Sequence, residues 1–244
     1  MIRGVYIAAT GMLAESQRQD VIANNLANAT TTGFRRSITT ATPFAETLLT
    51  NMQAQGAPAI GTLTRGAQLE GTALLETQGP LRATGNPLDL ALVGGSYFTI
   101  ETDAGRRYTR DGSFQLSAEG RLVTGAGETV LGAGGPITLT RGAPVTVGTD
   151  GTVIQEGQAR GRLLLTALAP GTAQSEGGTR VNGTPAAADG TRVRQGHIEG
   201  SGVNVVTEMV ELIRTMRSFE ANQKAVQSHD EALQQSVGRV GRVS

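Results

Sequence analysis

The chain has 244 residues, carries no net charge at pH 7 and contains no cysteine. Its 21 basic and 21 acidic residues balance, which argues against a nucleic acid or a membrane surface as a partner. The lack of cysteine excludes disulfides, thiol nucleophiles and cysteine-bound zinc, and two histidines are too few for a three-histidine metal site. We therefore expect no metal and no other cofactor.

Residues 1–30 are predicted to form an N-terminal helix. Steps of three and four residues separate a stripe of mostly apolar side chains, which turns polar at Ser16 and Gln19. Its apolar members are Ile2, Val5, Ala9, Met12, Ala23 and Leu26. Because the middle of the stripe is polar, we expect this helix to be weakly stable in the monomer and to be ordered by neighbouring copies.

The middle of the chain divides into two parts. Residues 31–85 are rich in Thr, Ala, Gly and Gln, which predicts an extended or irregular linking segment. Over residues 86–200, short β-type runs alternate with Gly and Asp turn signals, and this pattern predicts a β-rich central domain. The strongest hairpin signal is VTVGTDGTVIQ, in which Asp150 and Gly151 both tolerate the positive φ that a tight turn requires.

Residues 201–244 return to a helical pattern. Asn204 is a candidate N-cap, and a stripe with alternating steps of four and three follows it, apolar except at Gln223 and Asp230. Its apolar members are Val205, Met209, Leu212, Met216, Phe219, Val226, Leu233, Val237 and Val240. A helix over 205–237 would be roughly 50 Å long at ~1.5 Å per residue, so part of it needs a second helix as partner. The predicted fold is therefore α+β, with the terminal helices pairing as a coiled-coil-like stalk around a mostly antiparallel, all-β central domain.

No arrangement of side chains points to catalysis. Four aspartates lie beside predicted turns or strand starts: Asp89, Asp103, Asp111 and Asp150. Aspartate at such places commonly accepts hydrogen bonds from the nearby backbone. His197 has only Glu199 near it in the sequence, and His229 falls on the polar face of the predicted helix. We therefore predict that the protein is not an enzyme, that it has no catalytic, metal or cofactor-binding residues, and that it takes no small-molecule substrate.

Three blocks of sequence resemble the flagellar basal-body rod and hook proteins. The first is MIRGVYIAATGM followed by QDVIANNLANATTTGFRR, and the last is EGSGVNVVTEMVELIRTMRSFEANQKAVQS. Between them, NPLDLALVGGSYFTIETDAGRRYTRDGSFQLSAEGRLVTGAGETVLG is similar to the central domain of that family. The resemblance implies a structural axial subunit of the rod, the drive shaft that crosses the periplasm and transmits motor torque to the hook.

The same resemblance implies the partners and the location. Rod proteins leave the cell through the flagellar type III export apparatus as unfolded chains, and they polymerise with copies of themselves and with neighbouring rod subunits. This sequence fits that route, because it shows neither the apolar core of a secretory signal nor an apolar run long enough to span a bilayer. We therefore expect the protein in the periplasmic rod of the basal body, exported without a cleaved Sec signal.

The assembly interface is expected at both ends of the chain. Asn24, Asn25 and Asn28 are expected to hydrogen bond to the backbone of neighbouring subunits in the tube, although Asn28 has the alternative role of ending the helix. The other predicted interface residues are Ile2, Val5, Ala9, Met12, Leu26, Gly33 and Phe34 near one end and Asn204, Val205, Met209, Leu212, Met216, Phe219, Val226 and Leu233 near the other.

Two alternatives remain open on the sequence alone. Within the family, the length, the short segment between Leu168 and Gly196 and the GRVGRV tail favour a proximal-rod subunit, whereas the MIRGVY start and the TTTGFRR block also occur in the distal-rod subunit. Outside the family, the alternative is a carbohydrate-binding or enzymatic β-domain. Its concave site would have to be lined by Tyr97, Phe98, Tyr108 and Phe114, whose spacing is that of core positions.

Overall fold

The computed structural model describes residues 2–43, 47–49, 61–63, 67–187 and 190–240. The chain divides into two compact units. The first, here called the helical unit, consists of Met1–Asn24, Ile38–Thr72 and Val206–Ser244, and the second, the β unit, consists of Asn25–Ser37 and Ala73–Val205. Both units are discontinuous in sequence, so the chain passes from one to the other four times.

The two predicted helices are present at the two ends of the chain. Helix α1 covers Ile2–Ala27 and helix α2 covers Val205–Val240. Between them, the segment predicted to be extended or irregular contains strands that pair with one another. Strand β1 (Ser37–Pro43) shares a two-stranded sheet with β4 (Ala67–Leu74), and β2 (Thr47–Leu49) pairs with β3 (Gly61–Leu63). Neither helix, over its described residues, is long and apolar enough to cross a membrane.

The β unit contains the predicted central domain of short strands. These are β5 (Leu81–Ala83), β6 (Leu90–Val93), β7 (Tyr97–Thr102), β8 (Gly105–Thr109), β9 (Gln115–Leu116), β10 (Leu122–Val123), β11 (Thr129–Gly132), β12 (Gly135–Pro136), β13 (Val145–Val147), β14 (Thr152–Gln155), β15 (Gln158–Arg162), β16 (Leu165–Leu168), β17 (Gln174–Ser175), β18 (Arg180–Asn182), β19 (Pro185–Ala186), β20 (Arg192–Gln195) and β21 (His197–Glu199). The largest sheet has the order β17-β18-β8-β7-β11-β10-β9, with β16 also pairing with β7. The paired strands of this unit run antiparallel, which confirms the predicted mostly antiparallel domain.

The core of the β unit lies around strand β7. Phe98 and Ile100 of this strand are fully buried, and the ring of Phe98 meets that of Phe114 edge to face with centroids 4.9 Å apart. Tyr97 and Tyr108 belong to a second, smaller cluster. All four of the aromatic residues whose spacing suggested core positions are therefore buried, which leaves none of them to line a concave ligand site.

The predicted hairpin joins β13 to β14, with Val147 opposite Val153. Its turn differs from the prediction in one respect. The loop has four residues, and of the Asp-Gly pair only Gly151 has a positive φ, at 85°. Asp150 instead accepts hydrogen bonds from the N–H and the hydroxyl of Thr152, at 3.2 and 2.6 Å. The aspartate therefore contributes a side-chain turn rather than a left-handed backbone.

Candidate assembly interface

One side of α2 is shielded from solvent and carries two columns of residues. At seven-residue intervals, half-buried apolar side chains form the first column: Leu212, Phe219, Val226 and Leu233. At the same interval, buried or half-buried polar side chains form the second: Glu208, Thr215, Asn222 and His229. This side of the helix therefore alternates apolar and polar residues in a seven-residue repeat.

Small residues of α1 lie against the polar column of α2. A Cβ atom added to Gly4 would come within 2.5 Å of Nε2 of His229, and one added to Gly11 would come within 3.0 Å of Nδ2 of Asn222. Ala8, between the two glycines, is buried. Because the α1 number rises by seven as the α2 number falls by seven, these two stretches run antiparallel, and the glycines permit their close approach.

Most apolar residues of the predicted α1 stripe are only partly shielded from solvent, and Ala23 is exposed. Val5, Ala9, Met12 and Leu26 are half-buried, and the side chain of Ile2 lies outside the described residues. The most closely packed positions are offset by one residue from the predicted stripe. A stripe defined by apolar side chains does not include glycine. Glycine nevertheless permits a bulky polar side chain of another helix to pack directly against the backbone.

The other side of α2 exposes apolar residues over its first three turns. Ile213 is 53% exposed and Val206 is 70% exposed. The complete set, here called the α2 outer face, is Val205, Val206, Met209, Val210, Ile213 and Met216. Three residues predicted for the apolar seam therefore lie on this outward side: Val205, Met209 and Met216. An apolar strip of this kind is characteristic of a surface that another protein covers.

Helix α1 also exposes apolar side chains near its beginning. Tyr6, Ile7 and Leu13 are each about half exposed or more, with Leu13 at 67%. We call these three residues the α1 outer face. The spacing predicted neither this set nor three members of the α2 outer face, because these side chains lie outside the predicted stripes: Val206, Val210 and Ile213.

The predicted asparagines occupy three different surroundings. Asn25 is buried; its Nδ2 donates to the carbonyl of Ser37 at 2.8 Å, and the Ser37 N–H donates to its Oδ1 at 2.9 Å. Asn28 follows the end of α1, and its Oδ1 accepts a bond from the Thr31 hydroxyl at 3.2 Å. Asn24 is exposed. Asn25 therefore makes an internal contact, whereas Asn24 presents its side chain outward.

The remaining predicted residues lie on the segments that adjoin the helices. Gly33 and Phe34 are both buried inside the β unit, and Phe34 is 2% exposed. Asn204 is exposed and immediately precedes α2, which is the place of an N-cap. No group of three His, Asp or Glu residues able to hold a metal ion occurs in the part of the chain that the structure describes.

Three regions of the chain match families of flagellar proteins. Residues 5–35 match the family "Flagella basal body rod protein", residues 91–155 match the "Flagellar hook protein FlgE/F/G D1 domain", and residues 194–238 match the "Flagellar basal body rod FlgEFG protein C-terminal". The first and third matches contain most of the two helices with their outer faces, and the second contains most of the β core.

Whole proteins of known name are similar over nearly the full length. The chain is 34% identical to the flagellar basal-body rod protein FlgF of Caulobacter vibrioides, with 100% of both chains covered. It is 35% identical to FlgG of Agrobacterium fabrum over 94% of this chain and 96% of that protein. It is 32% identical to FlgG of Bacillus subtilis over 97% of this chain and 98% of that protein. The chain therefore belongs to the flagellar basal-body rod proteins, a family of structural subunits.

Proposed function

We propose that this protein is a proximal-rod subunit of the FlgF type. It is a structural axial protein that polymerises into the rod, crosses the periplasm and carries motor torque towards the hook. The observation that carries this proposal is the end-to-end similarity to the Caulobacter vibrioides FlgF, which spans the full length of both chains. A subunit of this kind needs no catalytic residues, cofactor or small-molecule substrate, and none is proposed.

The two terminal helices pair as a coiled-coil-like stalk. The seven-residue repeat of the half-buried Leu212, Phe219 and Val226 on α2 supports this pairing. The antiparallel contacts of Gly4 with His229 and of Gly11 with Asn222 support it as well. The polar column makes the pair weaker than an all-apolar seam would, which suits a helix pair that is completed by other subunits.

Assembly occurs through the α1 and α2 outer faces, which meet copies of the chain and neighbouring rod subunits. Exposed apolar side chains such as Leu13 and Ile213 gain stability when a neighbour removes them from water, at ~25 cal/mol for each Å² buried. The exposed Asn24 is a candidate for a hydrogen bond to a neighbouring backbone. Residues 1–30 and 201–244 thus supply the polymerising ends, and residues 86–200 supply the surface that differs between rod proteins.

The protein reaches the rod through the flagellar type III export apparatus. That route requires an unfolded chain, and the chain has no disulfide that would prevent unfolding, since it has no cysteine. Its final location is the periplasmic part of the basal body.

Deletion of the gene followed by electron cryomicroscopy of purified basal bodies tests the assignment. A proximal-rod subunit is required before the distal rod can be added, so the deletion strain should retain the upstream rod subunits and lack the distal rod, hook and filament. Motility should be absent and should return when the wild-type chain is supplied. A complete rod in the deletion strain would contradict the proposal.

The second candidate is the distal-rod subunit FlgG. It is favoured by the similarity to FlgG proteins of two organisms at 32% and 35% identity. The same micrographs separate the two candidates. A proximal rod that remains complete, with only the long distal segment missing, would assign the chain to the distal rod.

A further inference from the structure

A buried carboxylate in the β unit is held between two arginines. Oε1 of Glu199 lies 3.1 Å from Nη2 of Arg35, and its Oε2 lies 3.3 Å from Nη1 of Arg110. The side chains of all three residues are only 2% exposed. Oε1 also accepts a hydrogen bond from the N–H of Gly79 at 2.9 Å. We call Arg35, Arg110 and Glu199 the charged cluster.

Each arginine of the cluster reaches a backbone carbonyl of a different segment. Arg35 donates through Nη1 to the carbonyl of Thr77, and Arg110 donates through Nη2 to the carbonyl of Gly94 at 2.5 Å. The guanidinium of Arg110 also lies 4.9 Å from the centre of the Tyr97 ring. The contacts are directional, so the cluster fixes the orientation of the backbone around it as well as its position.

The cluster contains two positive charges and one negative charge. Burial lowers the pKa of Arg110, and the neighbouring Arg35 charge lowers it further, while Glu199 opposes this shift. Removal of Glu199 would therefore leave two buried cations facing each other. Removal of Arg35 would instead leave one cation and one anion, a balanced buried pair.

The segments that connect the two units meet at this cluster. The chain passes between units at 24/25, 37/38, 72/73 and 205/206. Arg35 comes from the segment between the first two passages, Thr77 and Gly79 follow the third, and Glu199 precedes the fourth. Every passage is therefore adjacent in sequence to a segment that the cluster holds.

Backbone hydrogen bonds tie the same segments to one another. The N–H of Gly33 donates to the carbonyl of Glu199 at 2.8 Å, and the N–H of Gly202 donates to the carbonyl of Phe34 at 2.9 Å. The N–H of Leu75 donates to the carbonyl of Arg36 at 2.9 Å. Together with the charged cluster, these bonds join the segments after α1, after β4 and before α2 into one network.

Gly33 brings this network into direct contact with the β core. Its φ is +66°, and a Cβ atom at this position would collide with the backbone of Arg110 and Asp111. Next to it, the Thr32 hydroxyl donates to Oδ1 of Asp111 at 2.7 Å. The connecting segment after α1 therefore lies directly on the chain that carries Arg110, with no room for a side chain between them.

We propose that Glu199 is a positioning residue, which with Arg35 and Arg110 forms a joint that clamps the connecting segments to the β unit. This inference rests on the proposed function, because in a rod that transmits torque the force passes along the chain through these connecting segments, which must therefore stay fixed to the β unit. Apolar side chains could fill the same volume, but apolar contacts would not set the orientation of three backbone segments. Hydrogen bonds from the arginines to carbonyl and carboxylate acceptors on separate segments set that orientation. The core of the β unit supplies stability, and the joint holds the connecting segments in place on that unit.

The variant Arg35→Gln tests the joint, with Arg107→Gln as a matched control. Arg107 also pairs with a glutamate, Glu176, but on the surface. Hydrogen exchange of the purified full chain should be about tenfold faster at the amides of Gly33, Gly79 and Gly202 in Arg35→Gln and unchanged at Ile100. The control should leave all of these amides unchanged. Unaltered exchange at Gly33 and Gly79 in Arg35→Gln would overturn the proposal.

A measurement of torque separates a positioning role from a purely structural one. Cells carrying Arg35→Gln should assemble basal bodies and swim in dilute medium, but they should lose stall torque or break rods under viscous load, while Arg107→Gln cells match the wild type. Full torque at high load in Arg35→Gln cells would contradict the joint. If Arg35→Gln does not fold, the variant Arg35→Lys replaces it. The lysine ammonium keeps the positive charge but cannot bind both Glu199 and the Thr77 carbonyl as the guanidinium does. The same results of hydrogen exchange and torque then support or contradict the joint. Complete rods in a deletion strain would contradict the rod assignment itself, and hydrogen exchange would still test the joint.

Discussion

The side chain of Asn25 and the backbone of Ser37 exchange two hydrogen bonds, one in each direction. The asparagine amide thereby takes the place of a neighbouring strand at the beginning of β1. Both residues are buried, so neither backbone group of Ser37 has water as an alternative partner. This contact closes the turn between α1 and β1, and a carboxylate or an apolar side chain could not make both bonds.

Asn25→Leu should lower the free energy of unfolding of the β unit by about 1–3 kcal/mol, because it leaves the N–H and carbonyl of Ser37 buried without partners. Urea denaturation followed by tyrosine fluorescence measures this change, since Tyr97 and Tyr108 both lie in the β unit. The exposed Ala23→Leu is the control, and it should shift the free energy by less than ~0.5 kcal/mol. Equal stabilities of the two variants would show that the Asn25 contact contributes nothing.

Gly11→Leu should disrupt the contact between the two helices although it raises the helix propensity of α1 by about 1 kcal/mol. A leucine at this position has to displace the amide of Asn222, which lies against the glycine. Hydrogen exchange across α1 and α2 should be faster in this variant. Gln17→Leu, on the exposed side of α1, should leave exchange unchanged; faster exchange in both variants would mean that the added leucine itself, not the contact, is responsible.

Ile213→Asp should abolish assembly without unfolding the monomer. The side chain is already 53% exposed in the isolated chain, so the charge costs little there, but it would have to be buried when a neighbour covers the α2 outer face. Motility should be lost, while the urea midpoint of the purified chain stays within error of the wild type. Gln227→Asp, on the exposed polar part of the same helix, should swim normally. Normal swimming of Ile213→Asp cells would remove the α2 outer face from the interface.

The hairpin turn at Asp150 should depend on pH in a defined direction. Hydrogen bonds from Thr152 hold the pKa of Asp150 below its ordinary value of 3.8. The bond from the Thr152 hydroxyl has the larger effect, and the bond from its N–H has the smaller one. A depressed pKa contributes stability above the unfolded pKa, and that contribution is lost as the pH falls through the folded pKa. A nuclear magnetic resonance titration should find this lowered value, and Thr152→Val should raise it. Titration of the wild type at the ordinary pKa would show that the turn does not favour the carboxylate.

Much of the architecture could be predicted because it depends on local patterns. The helices at both ends follow from intervals of three and four, and the β13–β14 hairpin follows from alternating residues around Asp150 and Gly151. Burial of Phe98 and Phe114 follows from their spacing within short strands. In each case the signal lies within a few residues of the feature that it predicts.

The contacts that position the helices could not be predicted in the same way, because their partners are distant in sequence. Nothing near Asn25 indicates that its partner is the backbone of Ser37. Gly4 and Gly11 carry no apolar side chain, so they did not mark the side of α1 that meets α2. Met209 and Met216 fit the seven-residue repeat as well as Leu212 does, and only the packed helix separates the inner column from the outer face.

The most direct test of the rod assignment is a high-resolution electron cryomicroscopy map of basal bodies purified from wild-type cells. The account predicts that the chain is found in the rod, with Leu13 of the α1 outer face and Ile213 of the α2 outer face buried against neighbouring subunits. Absence of the chain from the rod, or a rod in which both side chains face solvent, would contradict it.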